Sequence, residues 1–448
     1  MKLSAVILAA GQGTRMKSNL PKVLHSLLGR PMAWYVLEAV RQVTGDRPVM
    51  VIGHGADQVR QALGDQAEYV LQEPQLGTGH AVMQAEPLLR GKSDLVLVIY
   101  ADMPLLTGET LGRLVEEAQS HTGPVSMLTV TTDETRSFGR ILRDPGGQVS
   151  GIVEEAQATP EQLSIHELNP GVYCFRAAWL WPALKRIALS PKGEYYLTDL
   201  VGMAVAEGHA IQTLSMEDPN EVIGINTRLH LAQANALLSQ RINRQWMLAG
   251  VTMIDPISTY IEPGVTLGQD TILWPGTYLH GSTQIGTGCV IGPNTIVKDT
   301  KVGDGCTLLA SVLEYALLED HVEMGPYCHL RKGAHLSTGV HMGNFGEVKN
   351  STLGPGAKMG HFSYMGDATV GADVNIGAGT ITCNYDGTHK YPTEIGEGAF
   401  IGSDTMLVAP VKVGAGAKTG AGTVVTKDIP PQSLAVGVPA RVIKVLKK

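Results

Sequence analysis

Across the C-terminal half, an aliphatic residue followed by glycine recurs at every sixth position: Leu353-Gly354, Met359-Gly360, Met365-Gly366, then, one residue short, Val370-Gly371, and Ile376-Gly377. The pattern breaks and resumes at Ile395-Gly396, Ile401-Gly402, Val413-Gly414 and Thr419-Gly420. Earlier copies stand at Ile285-Gly286, Ile291-Gly292 and Val302-Gly303. A period of six cannot stay on one face of a helix with about 3.6 residues per turn. It suits very short parallel strands joined by tight turns, with the aliphatic side chain inward and glycine tolerating the turn. A β-helix built this way is a rigid rod, and its function must sit on its outer surface or between copies.

The composition agrees with a core of small aliphatics: 53 glycines, but only five Phe and five Trp in 448 residues. That length allows two or three domains with ample core. A net charge of −7 argues against a broad nucleic-acid surface, yet a few local Arg and Lys suffice to hold phosphates. The five cysteines, Cys174, Cys289, Cys306, Cys328 and Cys383, form no CxxC pair. Structural thiols in a reduced compartment are expected, and zinc is not. The apolar run at 5–10 is short for a signal peptide and leads straight into a charged, Gly-rich segment at 11–17. No run approaches the ~20 apolar residues needed to span a bilayer. The expectation is a cytoplasmic protein with neither nucleic-acid nor membrane partners.

The first half reads as α/β. Strands are predicted at 3–10, 48–52 and 94–100, alternating with helices at 32–42, 56–63 and 110–119. Such alternation implies a parallel sheet covered on both faces, with the site at the carboxyl ends of the strands. The loop at 11–21 and Asp102 both fall there. Gly139-Arg140-Ile141 and Asn169-Pro170-Gly171 read as a second, partly antiparallel layer. The division expected is a first domain at 1–226, a linker helix at 227–250 and the β-helix at 251–448, ending in a basic, poorly fixed tail at 443–448.

The segment Leu8-Ala9-Ala10-Gly11-Gln12-Gly13-Thr14-Arg15-Met16 lets backbone N–H groups approach a phosphate closely, and Arg15 adds a fixed cation. Taken alone it is equally a tight strand-to-helix turn. It lacks the third glycine of a dinucleotide fingerprint and the Gly-Lys-Ser/Thr of a P-loop. With Pro21-Lys22 following, it resembles the sugar-nucleotidyltransferase signature, LAAGxGTRM…PK. The resemblance implies that Leu8, Ala9, Gly11 and Gly13 border the nucleotide, and that Arg15 and Lys22 hold the triphosphate and stabilise charge on the α-phosphoryl group. It implies that Gln72, Gly77 and Thr78 read the uracil, that Asp102 and Asn226 hold magnesium, and that Gly139, Glu154 and Asn169 hold the sugar phosphate. Glu154 reads equally as a surface charge beside Glu155. His80 reads as a packed or helix-start histidine in preference to a catalyst. Ala101 stands where a glycine is usual and adds a methyl beside the expected pocket.

A second constellation runs from Arg331 to Tyr385, with Lys349, His361, Tyr364, Asn375 and Asn384 between them. Residues on nearby coils of one rigid rod can converge with each other or with a second chain. Arg331 and Lys349 would form an anion site, Tyr364 and Asn384 would hold hydroxyls, and an imidazole at 361 suits proton removal from an amine attacking a thioester. The polar interruption at 382–394 is read as a loop pushed outward on the binding face. Ser403, Ala421 and Gly437-Val438-Pro439-Ala440-Arg441 fall where hexapeptide acetyltransferases bind acetyl-CoA.

The phrase Asn375-Ile376-Gly377-Ala378-Gly379-Thr380-Ile381-Thr382-Cys383-Asn384-Tyr385-Asp386-Gly387 is specific to one family. It resembles the bacterial bifunctional enzymes that join a glucosamine-1-phosphate N-acetyltransferase to an N-acetylglucosamine-1-phosphate uridylyltransferase. The likeness covers nearly the whole chain. It implies a Rossmann-like nucleotidyltransferase domain followed by a left-handed parallel β-helix. It implies acetylation first, with acetyl-CoA, then Mg2+-dependent uridylyl transfer from UTP, feeding peptidoglycan and lipopolysaccharide synthesis. It also implies a homotrimer of side-by-side β-helices with acetyl-CoA between chains, contacted by Asn384, Tyr385, Ser403, Ala421 and Arg441. Sugar phosphate would be held by Arg331, Lys349, Tyr364 and Asn375.

Four departures stand out: His329 and Lys332 in His329-Leu330-Arg331-Lys332-Gly333 where arginine and proline are usual, Gly346 where a larger aliphatic is usual, and Val438 in Gly437-Val438-Pro439, where some relatives place an arginine. Two other readings remain: a hexose-1-phosphate nucleotidyltransferase with a merely regulatory β-helix, and a non-enzymatic scaffold. The set of His361, Lys349 and Arg331 argues against the first. Intact Arg15, Lys22, Asp102 and Asn226 argue against the second.

Overall fold

The computed structural model describes residues 1–134 and 136–446. The chain divides into two compact units, Met1–Leu238 and Ser239–Lys448. A helix, Arg228–Leu248, contains that division.

In the first unit the predominantly apolar stretches Leu3–Ala9, Val49–Ile52 and Leu95–Tyr100 are buried nearly throughout, as strands covered on both faces must be. With Glu68–Leu71 they pair in parallel. Helices Met32–Arg41 and Gly108–Ser120 are amphipathic and bury Val36, Leu37, Leu111 and Leu114. Thr107 caps the second, accepting from Thr110 N–H. The sheet then turns antiparallel: Tyr173–Arg176 pairs with both Leu95–Tyr100 and Val125–Thr131.

One expectation is corrected here. Gly139–Arg143 and Glu167–Asn169 form no second layer; they prolong the same sheet. The cause is the length of Val125–Thr131. Its first residues pair with Tyr173–Arg176, and its last two, Val130 and Thr131, pair with Leu168 and Glu167.

The second unit coils from Thr252–Met253 onward into sheets of twelve, ten and nine strands, parallel except for the last strand of the twelve, a left-handed parallel β-helix. The inward aliphatics Leu336, Met342, Val348, Leu353 and Met359 are fully buried. Buried hydroxyls at the corners donate back to the chain, as Thr277 does to Trp274 O and Thr405 to Gly402 O, both at 2.7 Å.

At Gly354 the recurring glycine has a different cause from the one expected. At Gly354 a Cβ would lie 2.7 Å from the carbonyl carbon of Gly371 on the next coil, so close stacking excludes a side chain. The left-handed turn comes two residues later, at Gly356 with φ +69°.

All five cysteines are free, and four are buried. Cys289 and Cys306 each donate to a carbonyl on the next coil at 3.2 Å. The expected loose tail is also corrected. Arg441–Val445 forms an exposed strand antiparallel to Ser433–Val436, and Leu446 N–H donates to Gln432 O. Lys447 and Lys448 lie outside the described residues. Among the described residues, no helix is long and apolar enough to cross a membrane.

Candidate active sites

At the carboxyl ends of the parallel strands, a cleft of about 330 Å³ is lined by Leu8, Ala9, Gly11, Lys22, Gln72, Gly77, Thr78, Tyr100 and Asp102. A Cβ on Gly11 would meet nothing within 4 Å, so the glycine leaves open space beside the backbone. Gly13, at φ +64°, lies against the stem of Lys22. The Lys22 ammonium donates to the Asp102 carboxylate and, at 2.8 Å, to Asn226 Oδ1. Arg15 reaches the same oxygen at 3.0 Å. Four residues separated by up to 211 positions thus meet at one point.

The far wall is braced internally. Gln72 donates to Gly77 O at 2.9 Å, and Gly77, at φ +92°, packs on the Tyr195 backbone. Thr78 Oγ1 accepts from Leu197 N–H at 3.0 Å. His80 lies between Gln72 and Gln84 at 3.2 and 3.1 Å and beside the Tyr195 ring, so its nitrogens are occupied by structural contacts. Ala101 is fully buried and does not line the cleft, so its extra methyl leaves the space unchanged.

Thr78 and Tyr100 also wall a second, wider cavity of about 630 Å³, which holds Glu154, Lys192, Tyr196 and Thr198. Glu154 accepts from Thr198 at 3.0 Å. Desolvation, then the Glu154 charge, pushes the Asp199 carboxyl above its ordinary pKa. Gly139 begins its strand beside Glu154: a Cβ there would sit 2.8 Å from Ile152 and 3.7 Å from Glu154. Asn169 pairs with Gly139 in register, but its amide is engaged inward, donating to Tyr173 Oη at 2.7 Å and accepting from Gly171 N–H at 3.0 Å.

On the β-helix, the ten-stranded sheet stacks His329, Glu347 and Tyr364 in register. His361 precedes the Ser363–Gly366 strand of this face, and Lys349 ends the Gly346–Lys349 strand. Arg331 donates to Glu347 at 2.9 Å. The charge of Lys390, then that of Arg331, holds Lys349 below its ordinary pKa, so three cations cluster there. Lys390 is the residue that sequence reasoning missed. It sits on the returning arm of the inserted loop, where Tyr385 bridges to it. Polarity of the interruption was the available signal, but no periodicity singled out one side chain.

Asn384, at the foot of that loop, donates to Asp367. Its amide and the Tyr364 hydroxyl meet over Gly366, where a Cβ would strike both. Tyr385 is 59% exposed. Asn375 is not brought to this cluster: it lies on the twelve-stranded sheet, between Lys358 and Phe400. His361, Ala378, Ser403 and Ala421 each stand three residues after the register-paired Lys358, Asn375, Phe400 and Lys418, so they line one edge on successive coils. Arg441 is on the exposed final strand, opposite Val436. Of the departures, Gly346 is compensated: the methyls of Met342 and Met359 fill the space a side chain would take. Lys332 is exposed.

Residues 5–203 match the MobA-like NTP transferase domain. Residues 264–299 and 392–427 match the bacterial transferase hexapeptide (six repeats). The bifunctional protein GlmU of Heliobacterium modesticaldum is 49% identical over 97% of this chain and 95% of its own length. The chain belongs to the GlmU family. The GlmU proteins of Trichlorobacter lovleyi, at 49% identity over 97% of this chain and 95% of that one, and of Geobacillus thermodenitrificans, at 45% over 98% and 95%, agree. As a GlmU-family protein it is a bifunctional transferase, a uridylyltransferase and an acetyltransferase of UDP-N-acetylglucosamine synthesis. The reading of the rod as a merely regulatory appendage is not favoured.

Proposed function

We propose that the second unit acetylates glucosamine-1-phosphate from acetyl-CoA and that the first then transfers a uridylyl group from UTP to N-acetylglucosamine-1-phosphate. The observation that carries the first-unit assignment is the convergence of Lys22, Asp102, Asn226 and Arg15 at the mouth of the cleft. A carboxylate and an amide oxygen make a sparse, oxygen-only donor set, the kind Mg2+ accepts while keeping water and phosphate oxygens. Asp102 and Asn226 would hold it, and when bound it offsets charge on the phosphates. Arg15 and Lys22 bind the triphosphate, Gln72, Gly77 and Thr78 border the base, and Gly139, Glu154 and Asn169 border the sugar. A phosphate oxygen of the sugar phosphate attacks the α-phosphorus, the new P–O bond forms, the α–β bridge breaks and pyrophosphate leaves. Cations already fixed around the reacting phosphates lower the barrier because they need not reorganise.

On the β-helix, Arg331, Lys349 and Lys390 hold the phosphate, with Tyr364 at its hydroxyls. The amine attacks the thioester carbonyl and His361 takes the amine proton; the C–N bond forms, the C–S bond breaks, and His361 returns the proton to the leaving sulfur, which departs as the CoA thiol. Asn375 faces another side of the rod, which supports a homotrimer in which it serves a neighbouring chain's site. Acetyl-CoA then lies between chains along the His361–Ser403–Ala421 edge, near Asn384, Tyr385 and Arg441.

The test is to incubate the protein with glucosamine-1-phosphate, acetyl-CoA, UTP and Mg2+, and to follow free thiol and pyrophosphate separately while omitting each substrate in turn. Thiol release should need no UTP. Pyrophosphate release from glucosamine-1-phosphate should need acetyl-CoA. Pyrophosphate release at full rate without acetyl-CoA sinks this order.

A further inference from the structure

The two side chains assigned above to the divalent cation are already occupied by a cation of the protein's own. Lys22 donates to both Asp102 and Asn226, and Arg15 shares the Asn226 oxygen. The Lys22 and Asp102 side chains are only 14% and 18% exposed, so water does little to screen the pair. We propose that the Lys22 ammonium is a built-in stand-in for the divalent cation, and that nucleotide must draw it away before metal can bind.

The inference rests on the assignment of Asp102 and Asn226 to the metal. A divalent ion entering the free site meets an ammonium and a guanidinium at its own ligand oxygens. It is repelled by both and must break three existing contacts. A triphosphate in the cleft changes the balance, because it offers Lys22 and Arg15 several anionic oxygens in place of one carboxylate and one amide. The lysine stem, whose base lies against Gly13, is long enough to swing. Once the two cations move to phosphate, Asp102 and Asn226 are free to accept metal. Metal affinity is therefore low in the free enzyme and coupled to nucleotide, which keeps the site from loading divalent ions without substrate.

The probe is Mn2+ alone, followed by its electron paramagnetic resonance signal on the full-length protein without nucleotide. Removing the competing ammonium raises the binding-competent fraction, so Lys22→Met should bind Mn2+ about tenfold more tightly than wild type. Lys22→Arg, which keeps a cation there, should stay as weak as wild type. The gain should vanish in Lys22→Met with Asp102→Asn. Circular dichroism and thermal melts establish that each variant is folded, and Lys22→Gln serves if Lys22→Met is not. Equal or weaker Mn2+ binding by a folded Lys22→Met or Lys22→Gln protein overturns the stand-in role while leaving the metal assignment intact. A gain that survives Asp102→Asn, or no Mn2+ binding by any protein even with UTP present, overturns the assignment itself and the stand-in with it.

Discussion

Asn384 donates to the Asp367 carboxylate at 2.5 Å, tying the foot of the inserted loop to the turn of the preceding coil. The other Asp367 oxygen accepts from Asn350 at the same distance. One carboxylate thus anchors the loop that carries Tyr385 and Lys390. Asp367→Ala should lower kcat/KM for acetyl transfer by about tenfold or more, because small misplacements of substrate-holding groups are costly. Pyrophosphate release should be unchanged. Normal thiol release by the folded variant would show that the loop needs no such anchor.

Lys22→Ala and Asp102→Ala should abolish pyrophosphate release and spare thiol release, since both residues belong to the first unit. Parallel loss of both activities in a folded Lys22 variant would refute the division of labour.

His361→Ala should reduce acetyl transfer by ~10²–10⁴-fold, the usual contribution of a general base. Uridylyl transfer from supplied N-acetylglucosamine-1-phosphate should persist. The deficit should shrink at high pH, where more amine arrives neutral. Near-normal thiol release at neutral pH leaves His361 a structural residue.

Lys349 is held below its ordinary pKa, chiefly by Lys390 and then by Arg331. It therefore loses its charge, and its grip on phosphate, at a lower pH than an ordinary lysine. In acetyl transfer, kcat/KM should fall on an alkaline limb that Lys390→Ala moves to higher pH, because a repelling charge is gone. The same variant lowers the plateau, as one phosphate ligand is lost. A limb that stays in place or moves down refutes the coupling.

A first-unit fragment ending at 238 should be more stable than one ending at 226. The longer one keeps Asn235, which accepts from Leu28 N–H at 3.1 Å, and Arg228 beside His25 at 3.1 Å. It also keeps His230, which accepts from the Asn226 N–H at 3.3 Å. Urea unfolding should separate the two by about 1–3 kcal/mol, and the shorter fragment should lose pyrophosphate release as well. Equal midpoints would show that the helix start contributes nothing to the unit.

What was legible in the sequence was what burial forces. The hexads had to turn Leu353, Met359 and Ile376 inward, and the all-apolar 95–100 stretch had to be an inner strand, so the period alone placed them. The loop motif placed Arg15 and Lys22 at a strand end. What was not legible has a physical reason in each case. Arg441–Val445 is exposed along its whole length, so no burial pattern announced a strand. That the Asn169 amide is already engaged by Tyr173 and Gly171 is a local geometry that spacing does not encode. Lys390 acts through proximity to Lys349, which depends on how an irregular loop folds back. The antiparallel extension depended on one long strand serving two neighbours.

The edge that carries His361, Ala378, Ser403 and Ala421 is also a ruler. Neighbouring strands lie about 4.8 Å apart, so three coil steps set His361 and Ala421 roughly 14 Å apart along the rod. That spacing belongs to the backbone and not to any side chain. Point substitutions can roughen the edge but cannot rescale it; only the gain or loss of a whole coil can. The reach of any molecule laid along such an edge is therefore counted in coils, and it changes in steps.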